Sequence, residues 1–191
     1  MSIENIFELT EAQQNYSSEF SKFAKEFIAP AATGIDRDEI VPNELILELG
    51  KRGWLGCTIP VKFGGTPFDS ISLGLLNEKI GYSCSSVRSL LTVHHMVVDA
   101  ICRWGTAKQR EKYLPVLSSG QKIGAFALSE PLVGSDANSI QTVAVLDGDE
   151  YVLNGKKKWI TFAQIANLFL VVADVEGAKT VFLIDRDQPG F

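Results

Sequence analysis

The chain has 191 residues, of which 46% are apolar and 21% charged, and a net charge of −5. That composition suits a globular protein of one domain or two small ones, and it excludes the basic surface on which non-specific nucleic-acid binding depends. The Met1-Ser2-Ile3-Glu4-Asn5 start has no positive n-region, and the longest apolar run, 168–173, is too short to cross a bilayer, so a cytoplasmic protein without membrane insertion is expected.

The first part of the chain reads as helices. Thr10 and Gln13 form a T-x-x-Q capping box. Tyr16, Phe20, Phe23 and Phe27 then recur at helical spacing, and Pro30 is expected to end the pattern. This aromatic stripe reads as core packing. A second helix is predicted over 43–51, with Leu45 and Leu49 inward and Gly53 after it. The Gly- and Pro-rich stretch 54–68 reads as a loop, and a third helix follows over 70–80. The fourth helix is long, over 85–104, with Val87, Leu90, Leu91, His94, Val97, Val98 and Ile101 largely on one face. Gly105 supplies its stop. Thr106 and Gln109 form another capping box, opening a short helix before Leu114-Pro115. Cys57, Cys84 and Cys102 show neither metal-ligand nor redox spacing, so free thiols and no metal site are expected.

The period changes after Gly120. Residues 123–128 read as a buried strand. Residues 142–146 and 151–153 read as a hairpin around Asp147-Gly148. Further strands are predicted over 158–161, 168–173 and 180–184. Lys156-Lys157-Lys158 reads as a solvated hairpin shoulder, with a contact to a ligand phosphate as the alternative. Helices first and strands second indicate an α+β chain: an all-α domain over 1–120 packed on a partial antiparallel β-domain over 121–191.

Two segments carry chemistry. Phe126-Ala127-Leu128-Ser129-Glu130-Pro131-Leu132-Val133-Gly134-Ser135-Asp136 is an apolar strand running into a turn of small hydroxyl and glycine residues. Downstream, Trp159-Ile160-Thr161 brings an indole and another hydroxyl. Together they suit a flat apolar ring with a polar edge. Trp159 and the apolar residues would cover the ring, Ser129 and Thr161 would bond its heteroatoms, and Gly134 would let backbone amides approach closely. Glu130 and Asp136 read as turn-stabilising acids. A Ser/Gly turn after a strand is on its own an ordinary turn; the pair of segments after a helical region is what carries the signal.

These motifs resemble the flavin-binding signatures of the acyl-CoA dehydrogenase family. The resemblance extends over nearly the whole chain. It includes Trp54-Leu55-Gly56 with Phe63-Gly64-Gly65, Trp104-Gly105-Thr106 with Lys112-Tyr113-Leu114-Pro115, and 151–161 as the second flavin segment. It implies that FAD is lined by Phe126, Leu128 and Ser129, with the Ser129 hydroxyl on the pyrimidine edge. Trp159 would cover part of the ring, Thr161 would bond near N5, and Ile160 between them belongs to the same cofactor-binding segment. Gly134 and Ser135 would meet the FAD phosphates or the thioester, Ser135 being the candidate acyl-CoA contact.

Arg88 could hold a carboxylate or other polar acyl group; the plainer reading is a surface arginine in a salt bridge. Phe126 and Ser129 stand where Tyr and Thr are frequent, and Phe162-Ala163 where Asn-Gly is more usual. The family activity is α,β-dehydrogenation of an acyl thioester with hydride transfer to FAD N5. Its partners are an acyl-CoA or acyl-carrier-protein thioester and an electron-transfer acceptor, in a homo-oligomer when complete. Residues 85–94 resemble branches that use carrier-protein thioesters. No catalytic residue can be assigned: the family's C-terminal helical bundle, with its glutamate base, is expected to be absent, leaving the chain inactive alone. Two other readings remain open, a flavin monooxygenase or oxidase of the same fold and a non-catalytic truncated remnant.

Overall fold

A computed structural model describes residues 8–191; the Met1–Asn5 start lies outside the described residues. The chain divides into two compact units, Met1–Gln121 and Lys122–Phe191.

In the helical unit, α1 (Glu11–Phe23) opens on the expected box: the Thr10 side chain accepts from Gln13 N–H while Gln13 reaches back to the Thr10 N–H. Pro30 does not end the pattern. A π-helical turn (Ala24–Ile28) leads into α2 (Ala29–Asp38), and the Ala29 N–H bonds five residues back to the Ala24 carbonyl. Pro30 thereby falls in the first turn of a new helix, where its missing N–H leaves no bond unmade.

Phe20 and Phe23 are buried and meet the Trp54 indole edge-on, at centroid distances of 5.0 and 4.9 Å. Such contacts add about 0.5–1.5 kcal/mol each to the burial itself. Phe27, at the end of the stripe, is exposed; it stacks on Phe23 and flanks the Arg52 guanidinium.

α3 (Asn43–Lys51) buries Ile46 and Leu49, whereas Leu45 is only half-buried. The segment 54–68 is irregular, as expected, yet it is core: Trp54, Leu55, Cys57 and Ile59 are buried. α4 (Ser70–Ser83) starts from an Asp69 cap and runs past the expected end. α5 (Ser85–Trp104) has the expected bounds. Gly105 ends it with an extended backbone instead of a left-handed one; it is still required to be glycine, because a Cβ there would lie 2.6 Å from the Ile101 carbonyl oxygen. α6 (Ala107–Ser118) carries the second capping box and continues through Pro115.

The β unit is a five-stranded mixed sheet: β1 (Gly124–Ala127), β2 (Val143–Asp147), β3 (Glu150–Asn154), β4 (Leu168–Val175) and β5 (Ala178–Asp185). β2–β3 and β4–β5 are antiparallel, as hairpins must be, and β1 runs parallel to β4. A long connection, 128–167, separates β1 from β4, which is what a parallel pair requires. Alternation sorts the side chains. Ala125, Ala127, Phe169 and Val171 share one face, while Phe126 and Leu128 pack on the other with Val133, Ile140 and Val172.

The strand predicted over 158–161 does not form. Residues 155–161 lie outside the sheet, and both Trp159 and Phe162 adopt left-handed backbone, with φ of 59° and 60°.

Candidate functional site

Eight of the nine expected site residues belong to the β unit; Arg88 belongs to the helical one. Arg88 lies half-buried on α5, and its stem packs toward Gly81 of α4.

In the β unit, β1 delivers Phe126 and then Leu128 and Ser129, all half-buried. A bridge between Glu130 and Val133 closes the turn that follows. That turn presents Gly134 and Ser135 to solvent, and no atom lies within 4 Å of where a Gly134 Cβ would be. The second segment runs beside the first, since the Lys158 N–H donates to the Ser129 carbonyl at 2.9 Å. Trp159 is 80% exposed, with the Lys158 ammonium 4.6 Å from a ring centroid, and Thr161 is exposed. Ile160 departs from this group: its side chain packs with Ala163 against the Ala125–Phe169 face.

The two acids beside the motif are engaged. Glu130 is buried and accepts from Gln141 N–H at 2.6 Å, Thr142 N–H at 3.0 Å, Thr142 Oγ1 at 2.5 Å and Lys157 Nζ at 2.8 Å. Burial pushes its carboxyl up, but Lys157, Thr142 and the two amides outweigh that and hold it down at about 2. Asp136 takes the Ser139 hydroxyl, and its carbonyl takes the Ser139 N–H. A general base must have its lone pairs free toward the proton it removes, and the buried, four-fold bonded Glu130 carboxylate does not; Asp136 is exposed and caps its own turn through Ser139. The turn-stabilising role expected of both is what the bonds show.

Lys157 corrects the expectation of a solvated lysine shoulder. Its side chain is only 12% exposed and also donates to the Leu128 carbonyl at 3.0 Å. Sequence reasoning missed it because a Lys-Lys-Lys run does not show which member turns inward, and the burial of Glu130 that calls for a cation is a property of the fold. Lys157 and Thr142 also border a cavity of about 470 Å³ on the Ala127–Val171 face, opposite Phe126 and Leu128.

The histidines of α5 do not supply a base. His94 is fully buried, and burial, then the neighbouring His95, lower its pKa to about 3. His95 Nε2 lies 2.9 Å from the Trp54 carbonyl oxygen and 3.4 Å from Cys57 Sγ. Burial likewise pushes the Cys57 thiol up to about 12, so it is not a nucleophile. No helix among the described residues is long and apolar enough to cross a membrane.

The Trp159 indole and the Thr161 side chain are exposed two residues apart, on a segment tied to Ser129 through the Lys158 N–H, and the Gly134–Ser135 turn is exposed.

Comparison with known proteins gives the same picture for both units. Residues 10–121 match the family model "Acyl-CoA dehydrogenase, N-terminal domain", and 125–191 match "Acyl-CoA dehydrogenase, middle domain". A probable acyl-CoA dehydrogenase of Bacillus subtilis is 36% identical over 191 residues, covering 96% of this chain and 50% of the relative. A solved glutaryl-CoA dehydrogenase from Mycobacterium smegmatis in complex with FADH2 superposes with a TM-score of 0.92 at 30% identity, over 96% of this chain and 47% of that one. A chain from the structural work on the electron transferring flavoprotein of Acidaminococcus fermentans gives 0.91 at 33% identity, over 96% and 50%. The chain thus spans about half the length of the relatives it matches.

Proposed function

Because this chain belongs to the acyl-CoA dehydrogenase family, we propose that its β unit forms one wall of an FAD site in a protein that dehydrogenates an acyl thioester at the α,β bond. The observation that carries this reading is the exposed Trp159 indole in a left-handed backbone, next to the Thr161 hydroxyl and beside Ser129. FAD in such a protein accepts the hydride; the chain's own residues orient the ring. Ser129 and Thr161 would bond its polar edge, Phe126, Leu128 and Trp159 would cover apolar ring surface, and the amides around Gly134 and Ser135 would receive phosphate or thioester oxygens. Ile160 contributes its backbone between the two contacts, while its side chain anchors the segment. Arg88 is carried forward as the candidate for a polar acyl end.

The relatives support an acyl-CoA substrate and, through the Acidaminococcus neighbour, an electron-transferring flavoprotein as acceptor. Carrier-protein thioesters, homo-oligomerisation and a cytoplasmic location belong to the same reading. Residues 1–191 alone are proposed to be inactive, since Glu130 is buried and fully bonded, Asp136 is turned into its own loop by Ser139, and His94 and His95 are buried.

The residues present supply one side of a ring, so FAD binding to this chain is expected to be weak and site-specific. Addition of FAD to the isotope-labelled protein should shift the signals of 126–135 and of Trp159 and Thr161, and leave β5 unmoved. An even response over the surface, or none at these positions, removes the flavin-wall reading. Turnover of acyl-CoA by this chain with FAD and an artificial acceptor would show that a base is present after all.

A further inference from the structure

The two segments proposed to meet the flavin are not joined by a strand ladder. β1 pairs with β4, and 155–161 lies outside the sheet. Bonds around one side chain tie them together. Lys157 Nζ donates to the Leu128 carbonyl and to Glu130 Oε1, and the Lys158 N–H donates to the Ser129 carbonyl between them. Residues 128, 129 and 130 are thus gripped in succession by two residues of the other segment.

The grip is buried. The Lys157 and Glu130 side chains are 12% and 3% exposed, and the Thr142 hydroxyl and two amides complete the carboxylate's shell. Gly155 lets the chain close in behind Lys157: a Cβ there would lie 2.3 Å from Thr142 Oγ1. Two residues beyond Lys157 the backbone turns left-handed at Trp159, a conformation that a bulky side chain keeps only where its surroundings impose it.

We propose that Lys157 is a positioning residue: by holding Glu130 and the Leu128 carbonyl, its ammonium sets the separation of Ser129 from Trp159 and Thr161 and imposes the turn that faces the indole outward. The ligand it serves rests on the flavin reading above; the clamp itself is a property of the free protein.

Amide hydrogen exchange tests it in four forms of the protein: wild type, Lys157→Met, Lys157→Arg, and Glu130→Gln with Lys157→Met. The double variant leaves no buried charge unpaired, so it folds where the single variant fails to. The shift of the Trp159 indole signal on adding FAD is recorded alongside.

Without Lys157 the Lys158 N–H should lose protection by about tenfold or more, while the β4 amides keep theirs within about twofold. Lys157→Arg, which offers several donors on a similar stem, should recover most of the loss, and the FAD response should shrink in the same order. Undiminished Lys158 protection in a folded variant lacking Lys157 overturns the proposal. So does a lost clamp with an unchanged FAD response. A wild-type protein with a protected Lys158 amide and no FAD response at Trp159 or Ser129 would instead sink the flavin reading and leave the clamp standing.

Discussion

At the scale of single residues, Trp159 joins the largest exposed apolar surface of its segment to a backbone conformation that such a residue disfavours. Left-handed backbone costs an L-residue about 1–2 kcal/mol, and the indole, 80% exposed, recovers little of that by burial. A residue that costs stability and packs on little is expected to answer to a ligand. Trp159→Gly should therefore stay within about 1 kcal/mol of wild type in urea unfolding, because relief of strain offsets the extra freedom of glycine in the unfolded chain. The same variant should lose the FAD-induced shifts at Ser129 and Thr161. A destabilisation well above that margin would show the indole to be a structural residue. The small hydroxyls, the glycine and the indole were legible in the sequence because each has a distinct chemistry at a distinct offset. Lys157 and the φ of Trp159 were not, because burial of one lysine in three and a left-handed turn follow from contacts between positions nearly thirty residues apart.

At the scale of elements, periodicity and caps placed α1, α5, the β2–β3 hairpin and the strands β4 and β5, while proline misled twice. Pro30 reads as a stop, yet the π-turn before it lets the helix restart. Pro115 reads as a stop as well, yet α6 runs on through it to Ser118. The two cases differ energetically. Pro30 sits where no N–H is needed. Pro115 sits in the last turns of α6, where it forfeits the bond to the Glu111 carbonyl, and its side chain is exposed. Pro115→Ala should therefore stabilise the helical unit by about 1–2 kcal/mol, the roughly 3 kcal/mol proline penalty being cut by the entropy the unfolded chain regains. Chemical denaturation followed by the helical signal measures it, and unchanged or lower stability would mean that α6 needs the proline for its shape. The strand expected over 158–161 failed for another reason. Trp, Ile and Thr have strand propensity, but the bonds of Lys157 and Lys158 to the 128–130 turn take this segment out of reach of any ladder.

At the scale of the whole molecule, the two units carry different buried titrating groups, and this fixes the order in which acid should weaken them. In the helical unit His94 has an ordinary value of 6.5 lowered to about 3, by burial first and by His95 second, against the opposing pull of Leu117 and Leu55 backbone bonds. His95 is lowered too, by burial, with the Trp54 carbonyl and Asp99 opposing. A depressed histidine is neutral when folded and takes up a proton when unfolded. For His94 the unfolded state therefore binds more protons between pH 6.5 and about 3, and stability falls as pH falls, by up to about 1.4 kcal/mol per pH unit; His95 acts in the same direction below pH 6.5.

In the β unit Glu130 runs from 4.5 down to about 2. Its contribution is complete above 4.5 and is lost only as pH falls through that lower window. The helical unit should thus begin to weaken below about pH 6.5 and the β unit below about 4.5. Stability of the helical unit, measured in urea across pH 7 to 4, should slope downward from the start, and His94→Gln should remove part of the slope between 6.5 and 4.5. The exchange protection of β4 amides should stay level over that interval. A slope in the helical unit that His94→Gln leaves unchanged would assign the acid sensitivity to other groups, and β4 protection that fades above pH 4.5 would show that Glu130 does not govern the β unit.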